Sequence, residues 1–96
     1  MSGFLLRPKA LADLEAIGDF IAHDNPRRAT SFVDELLGFR ARISERPRAY
    51  PRRDDLAAGI RQAVLGRYLI FFRIADDDGI VVTRIVHGAR RLNDLI

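Results

Sequence analysis

The sequence predicts an α+β fold of order β-α-α-β-β-β, with a helical hairpin packed on one face of a small, mainly antiparallel sheet. Three observations predict it. Apolar residues recur at helical spacing through the first half of the chain, from Lys9 to Arg46. Three short apolar runs then follow in close succession after Gly59, separated by turn sequences. Helices segregated from strands in this way mark α+β rather than alternating α/β architecture. A length of 96 residues suits one domain spanning 1–96.

Each element has its own signal. Phe4-Leu5-Leu6-Arg7 is a short apolar run ended by Pro8, as expected of a first strand entering the core. From Lys9 the period changes: Leu11, Leu14, Ile17 or Gly18, and Ile21 share one helical face, and Asp13, Glu15 and Asp19 take the other. Asp24-Asn25-Pro26 restarts the chain, with Asn25 suited to cap a second helix and Pro26 to its first position. Ala29, Phe32, Val33, Leu36, Phe39, Arg40 and Ile43 carry that helix to Arg46, and Pro47 stops it. So short a connection implies an antiparallel hairpin of helices. Residues 47–59 have neither period and read as a loop. Ile60–Leu65, Tyr68–Ala75 and Ile80–His87 are the remaining strands, with Leu69-Ile70-Phe71-Phe72 reading as buried on both faces and therefore central. Gly66-Arg67 is a two-residue turn with glycine first, as a type II′ hairpin prefers. Asp76-Asp77-Asp78-Gly79 turns the chain again, and residues 89–96 suggest a last helical turn carrying Leu92, Leu95 and Ile96.

Composition excludes several chemistries. There is no cysteine, so disulfides and thiol catalysis are out and zinc ligation is disfavoured. No apolar run approaches a membrane span, and the opening stretch is too short for a signal peptide, which makes the cytoplasm the expected location. No Ser/His/Asp set, glycine-rich phosphate loop or metal-ligand cluster is visible, and no cofactor is expected. The formal charge of +3 is unevenly spread: up to Phe39 there are four basic and six acidic residues, and from Arg40 onward twelve arginines against seven acids. Lysine occurs once, at Lys9. Arginine bias alone follows from G+C-rich coding, but its crowding into the second half needs a further reason.

Alternation decides which strand residues share a face. Arg61 and Ala63 oppose Ile60, Gln62 and Val64; Arg73 alternates with Phe72 and Ile74; and Val82, Arg84 and Val86 oppose Val81, Thr83, Ile85 and His87. With the helices on one face of the sheet, the other face is expected to be at least partly open. If the three arginines face that side they form a guanidinium cluster, with Arg90 and Arg91 just beyond the sheet edge. Such a patch suits nucleic acid or an acidic protein helix; the alternative is local pairing with Asp54, Asp55 or Asp76–Asp78. His23 sits where a cation complements a helix C-terminus. His87 is either a hydrogen-bonded strand-end histidine or an acid–base group.

Four segments resemble the ParE group of the RelE/ParE superfamily: Pro8–Leu14 with Ile17 following, Asn25-Pro26 with Ala29, Gly59-Ile60-Arg61-Gln62 leading to Tyr68–Arg73, and Ile85-Val86-His87-Gly88-Ala89-Arg90-Arg91. Nearly the whole chain is covered in the right order. The resemblance implies a toxin held by a ParD-like antitoxin in a hetero-oligomer, poisoning DNA gyrase by protein binding rather than by catalysis. The target-facing residues would be Arg61, Arg84, His87, Arg90 and Arg91. The RelE branch instead cuts messenger RNA on the ribosome, and Arg61, Arg84 and His87 could make a reduced version of such a site. The tail, however, lacks the C-terminal tyrosine typical of RelE-like cutters. A third reading is a non-toxic binding member of the family.

Overall fold

The computed structural model describes residues 3–88. The elements, in chain order, are β1 (Phe4–Leu6), α1 (Pro8–Asp24), α2 (Pro26–Glu45), β2 (Arg61–Leu65), β3 (Tyr68–Ile74) and β4 (Ile80–His87). The stretch expected to be loop opens with one 3-10 turn, Pro47–Ala49. The proposed helical end of the tail lies outside the described residues.

Local chemistry explains the punctuation. Asn25 closes α1 through its backbone N–H to the Ile21 carbonyl, 2.8 Å, and opens α2 by accepting the Arg28 backbone N–H on its side chain, 3.1 Å. Pro26 occupies the start of α2, where its missing donor costs nothing. At the β2–β3 hairpin Leu65 pairs with Tyr68, and Gly66 has φ +58° while Arg67 stays at negative φ, as a type II′ turn requires.

The strands run in the order β1-β4-β3-β2. β1 is parallel to β4, and the other two pairings are antiparallel. α2 lays Phe32, Leu36, Phe39 and Ile43 on the sheet, and α1 contributes Ala10, Leu14 and Ile17. Phe32 meets Tyr68 edge-on at 5.2 Å, and the others meet Ala63, Ile70, Phe72, Ile80, Val82 and Ile85. Tyr50 joins this core edge-on to Phe39 and Phe72, at 6.3 and 5.7 Å.

Two details differ from the sequence reading. Leu11 is exposed, because the line of α1 that meets the sheet runs through Ala10, Leu14 and Ile17, one position round the helix. Strict alternation also fails in β4. The register jumps from Phe72↔Val82 to Phe71↔Arg84, so Thr83 is an extra residue in a β-bulge. Val82 and Ile85 therefore share the helix face, while Val86 packs on the opposite one with Phe71 and Ile60. The Thr83 hydroxyl donates to the Phe71 carbonyl at 3.2 Å, filling the gap the bulge leaves in the ladder.

Candidate functional site

The sheet face away from the helices is not simply open. The 53–60 loop folds over part of it, so that Ile60, Phe71 and Val86 are buried under Leu56 and Ala57. Polar contacts hold the loop. Arg53 donates to Asp55 and Gln62, and its backbone N–H donates to the Ile60 carbonyl at 2.7 Å. Asp54 accepts the Gly59 N–H at 2.8 Å and pairs with Arg52 at 3.0 Å. The Gly59 N–H, aided by Arg52, holds the Asp54 carboxyl below its usual range, and Arg53 does the same for Asp55. Arg73 reaches under the loop to donate to the Ala58 carbonyl. Gly59 has φ +78°, and a Cβ there would stand 3.1 Å from the Arg73 guanidinium, so both backbone and space call for glycine.

Beside this cover lies a groove of about 620 Å³. Its floor is Ile60, Val81 and Thr83; Ala57 and Pro8 form parts of its walls; and its charges are Arg7, Lys9, Arg73 and Arg84. No carboxylate lines it among the described residues. Neither Arg7 nor Lys9 has an ion-pair partner among the described residues. The first turn of α1 forms one wall, with no side chain capping it and no acidic residue in it. Its partial positive charge adds to that of the side chains.

Arg84 is held rather than loose. Its Nε and Nη2 donate to the two carboxylate oxygens of Asp13 at 2.7 and 2.9 Å, and the Ile85 backbone N–H donates to the same carboxylate at 3.0 Å. Asp13 thus caps the edge of β4 just past the point where β1 stops pairing, and it fixes the guanidinium that the bulge turned toward α1. The pair is mostly shielded, with side-chain exposures of 16% and 15%, and Asp13 raises the Arg84 pKa further above its ordinary value.

The structure distributes the residues singled out from sequence over three places. Arg84 lines the groove, together with Arg73. Arg61 instead pairs in register with Phe72, and its guanidinium donates to the Tyr50 carbonyl at 2.8 Å and the Arg48 carbonyl at 3.4 Å, tying β2 to the preceding turn. The expected three-arginine cluster is therefore not formed. His87 lies edge-on to Tyr68 at 5.6 Å and lines a second, apolar groove of about 390 Å³ with Ile17, Phe20 and Ile85. Arg90 and Arg91 lie outside the described residues. Arg7 and Lys9 escaped the sequence reading because they stand at the very start of α1, far in sequence from the arginines of the strands. The available signal was a pair of cations flanking the proline that starts α1.

Among the described residues no helix is long and apolar enough to cross a membrane, and no cluster of side chains suits a metal ion.

Solved structures share this architecture. A chain of the chromosomal ParDE toxin–antitoxin system from P. aeruginosa superposes with a TM-score of 0.75 at 23% identity, covering 91% of this chain and 96% of that one. A chain of the toxin–antitoxin complex RelBE2 from Mycobacterium tuberculosis gives 0.58 at 24% identity, covering 90% and 96%. No curated protein matches by sequence. A helical hairpin on one face of a four-stranded mixed sheet, in the order β-α-α-β-β-β, makes this an α+β protein of the RelE/ParE type. The family model for the ParE toxin of the type II toxin–antitoxin system parDE matches residues 4–92, and the chain belongs to that family.

Proposed function

We propose that the chain is the toxin of a type II pair that acts by binding rather than by chemistry. A ParD-like antitoxin neutralises it in a hetero-oligomer, and its target is DNA gyrase, met through Arg84, His87, Arg90 and Arg91 with Arg61 nearby. The observation that carries the non-catalytic reading is the lining of the basic groove. Cutting a phosphodiester needs a group that moves a proton, within hydrogen-bond reach of the reacting atoms. No histidine, tyrosine or carboxylate lines the groove among the described residues. His87 and Tyr68 face the other side of the sheet, and Asp13 is occupied by three donors.

The RelE-type alternative asks Arg61, Arg84 and His87 to surround one phosphate. Their separation over the fold weighs against it. Exposed Leu11 and Phe20 on α1 and Val33 and Leu37 on α2 support an antitoxin partner, since they offer apolar surface for an amphipathic segment to bury.

Induction of the free toxin is expected to produce gyrase-dependent DNA breaks and loss of supercoiling, without codon-phased transcript ends. Intact DNA with normal supercoiling at a growth-arresting dose would overturn the gyrase reading. Phased transcript ends would replace it with the ribonuclease.

A further inference from the structure

We infer that Asp13 is a positioning residue, which holds the Arg84 guanidinium in one orientation before any target arrives. The inference rests on reading Arg84 as part of the target-facing surface, and it adds the residue that aims it.

Placement is the first argument. Arg84 pairs in register with Phe71, whose ring lies under the 53–60 loop, so the bulge at Thr83 has put this arginine on the side of the sheet away from the helices. Asp13 belongs to α1, in the helix layer. The two meet round the edge of β4, just past Val82, where pairing with β1 has ended.

Asp13 does two things with one carboxylate, and they are separable. Oδ2 accepts the Ile85 backbone N–H at 3.0 Å, which caps a strand edge and needs a single oxygen. Holding Arg84 takes both oxygens, Oδ2 on Nε at 2.7 Å and Oδ1 on Nη2 at 2.9 Å. Two parallel bonds set the plane of a guanidinium as well as its place. Capping alone does not call for the second oxygen.

Order in the free chain is what such a hold supplies. An arginine that is loose before binding loses rotamer freedom when it is bound, and one already fixed does not. Arg84 has a side-chain exposure of only 16% and is gripped along one edge. Arg7 and Lys9, which line the same groove, are exposed and have no ion-pair partner among the described residues. Of these three cations, Arg84 is the one set in a defined direction.

The test measures growth arrest against expression level for the full chain, corrected to equal folded fraction. Asp13→Asn keeps an oxygen for the Ile85 N–H and loses the two-oxygen hold on Arg84. It should lower potency about five- to tenfold, the scale of ordering one long side chain and weakening a charge-assisted contact. Arg84→Lys leaves Asp13 on Ile85 and keeps the charge but removes the planar fork, and should cause a similar loss. In the Arg84→Lys background, Asp13→Asn should change potency by less than about twofold, because the group it acts through is gone. Nitrogen NMR adds a readout that strand capping would not move. The Arg84 Nη hydrogens should give separate signals in the wild type and one averaged signal in Asp13→Asn. Glu15→Gln, which removes an exposed carboxylate from the same helix, should change neither potency nor the Arg84 signals.

Equal losses from Asp13→Asn in both backgrounds overturn the inference and leave Asp13 a strand cap. Full potency in Asp13→Asn overturns it too, as does a guanidinium equally ordered without the carboxylate. If Asp13→Asn does not fold, full potency in Arg84→Lys overturns it and the expected loss there supports it. Supercoiling assays in parallel separate the two readings. Growth arrest that depends on Asp13 through Arg84 but leaves gyrase untouched overturns the gyrase reading alone. Gyrase poisoned equally by wild type and Asp13→Asn overturns this inference alone.

Discussion

The two faces of the sheet are covered by different means. On one, α2 presses Leu36, Phe39 and Ile43 onto Ile70, Phe72 and Val82, and apolar area does the holding. On the other, Ile60, Phe71 and Val86 lie under a loop fastened by Arg53, by Asp54 on the Gly59 N–H and by Arg73 on the Ala58 carbonyl. Most of these latches are exposed, and an exposed one contributes little. Stability is therefore concentrated on the helix side. The loop side covers only part of its face and leaves the adjoining strip, where the cations stand, available to a ligand.

Phe71 and Phe72 test that contrast most directly, because they are consecutive, both fully buried, and face opposite covers. Phe72→Ala should cost about 4–5 kcal/mol, since the two helices packed on that face cannot collapse into the cavity. Phe71→Ala should cost about 3 kcal/mol, because the loop above it can settle. Denaturant titration of both variants measures the difference. A larger loss at Phe71 would mean that the loop is as rigid a lid as the hairpin.

Asp13 stands where the two faces meet, and breaking it should give the next largest effect. Asp13→Ala strips Arg84 of its carboxylate and leaves the Ile85 N–H without its acceptor, at about 2–4 kcal/mol for a largely shielded pair. A double-mutant cycle with Arg84→Met should show a coupling of about 1–3 kcal/mol. Additive losses would show that the pair is decorative and that β4 needs no help at its edge.

These two cases also show what the sequence could and could not disclose. Periodicity located both helices, and Asn25-Pro26, Gly66-Arg67 and the aspartate-rich turn placed the boundaries, because each is a local effect of backbone chemistry. The bulge at Thr83 is equally local in structure, yet it leaves no mark in an unbroken apolar run. It alone reverses which residues accompany Arg84. The Asp13–Arg84 pair joins residues 71 apart in sequence, and the meeting of Arg7 and Lys9 with Arg73 follows from β1 pairing beside β4, a strand order that no spacing reveals. Residues 53–59 read as loop, correctly, but an aperiodic segment does not announce what it covers.

A smaller effect is expected from the loop itself. Gly59→Ala forces an alanine to φ +78° and crowds the Arg73 guanidinium, for about 1–2 kcal/mol. Faster hydrogen exchange confined to 53–59 would show that the cover opens as a separate unit. Exchange that accelerates across β3 and α2 together would join the two faces into one.

The weakest latch can be undone by acid. Asp54 has its pKa lowered first by the Gly59 N–H and then by Arg52, and Asp55 has its own lowered by Arg53. For a carboxyl depressed in the folded state, the stabilising contribution is fully present above the unfolded value of about 3.9 and is lost as pH falls through the lower folded value. Both groups are well exposed, with side-chain exposures of 49% and 62%, so solvent and salt keep the contribution small. The expected sign is therefore a slight loosening of the loop below about pH 4, ahead of any change on the helix face, because the apolar contacts there do not titrate. The Gly59 amide proton reports it directly. Its chemical shift should follow a titration with a midpoint below about 3.9 in the wild type, and Asp54→Asn should abolish the step. If the Gly59 signal instead moves only with global unfolding, the polar latches have no independent equilibrium. The groove beside them would then be as fixed as the core across the sheet.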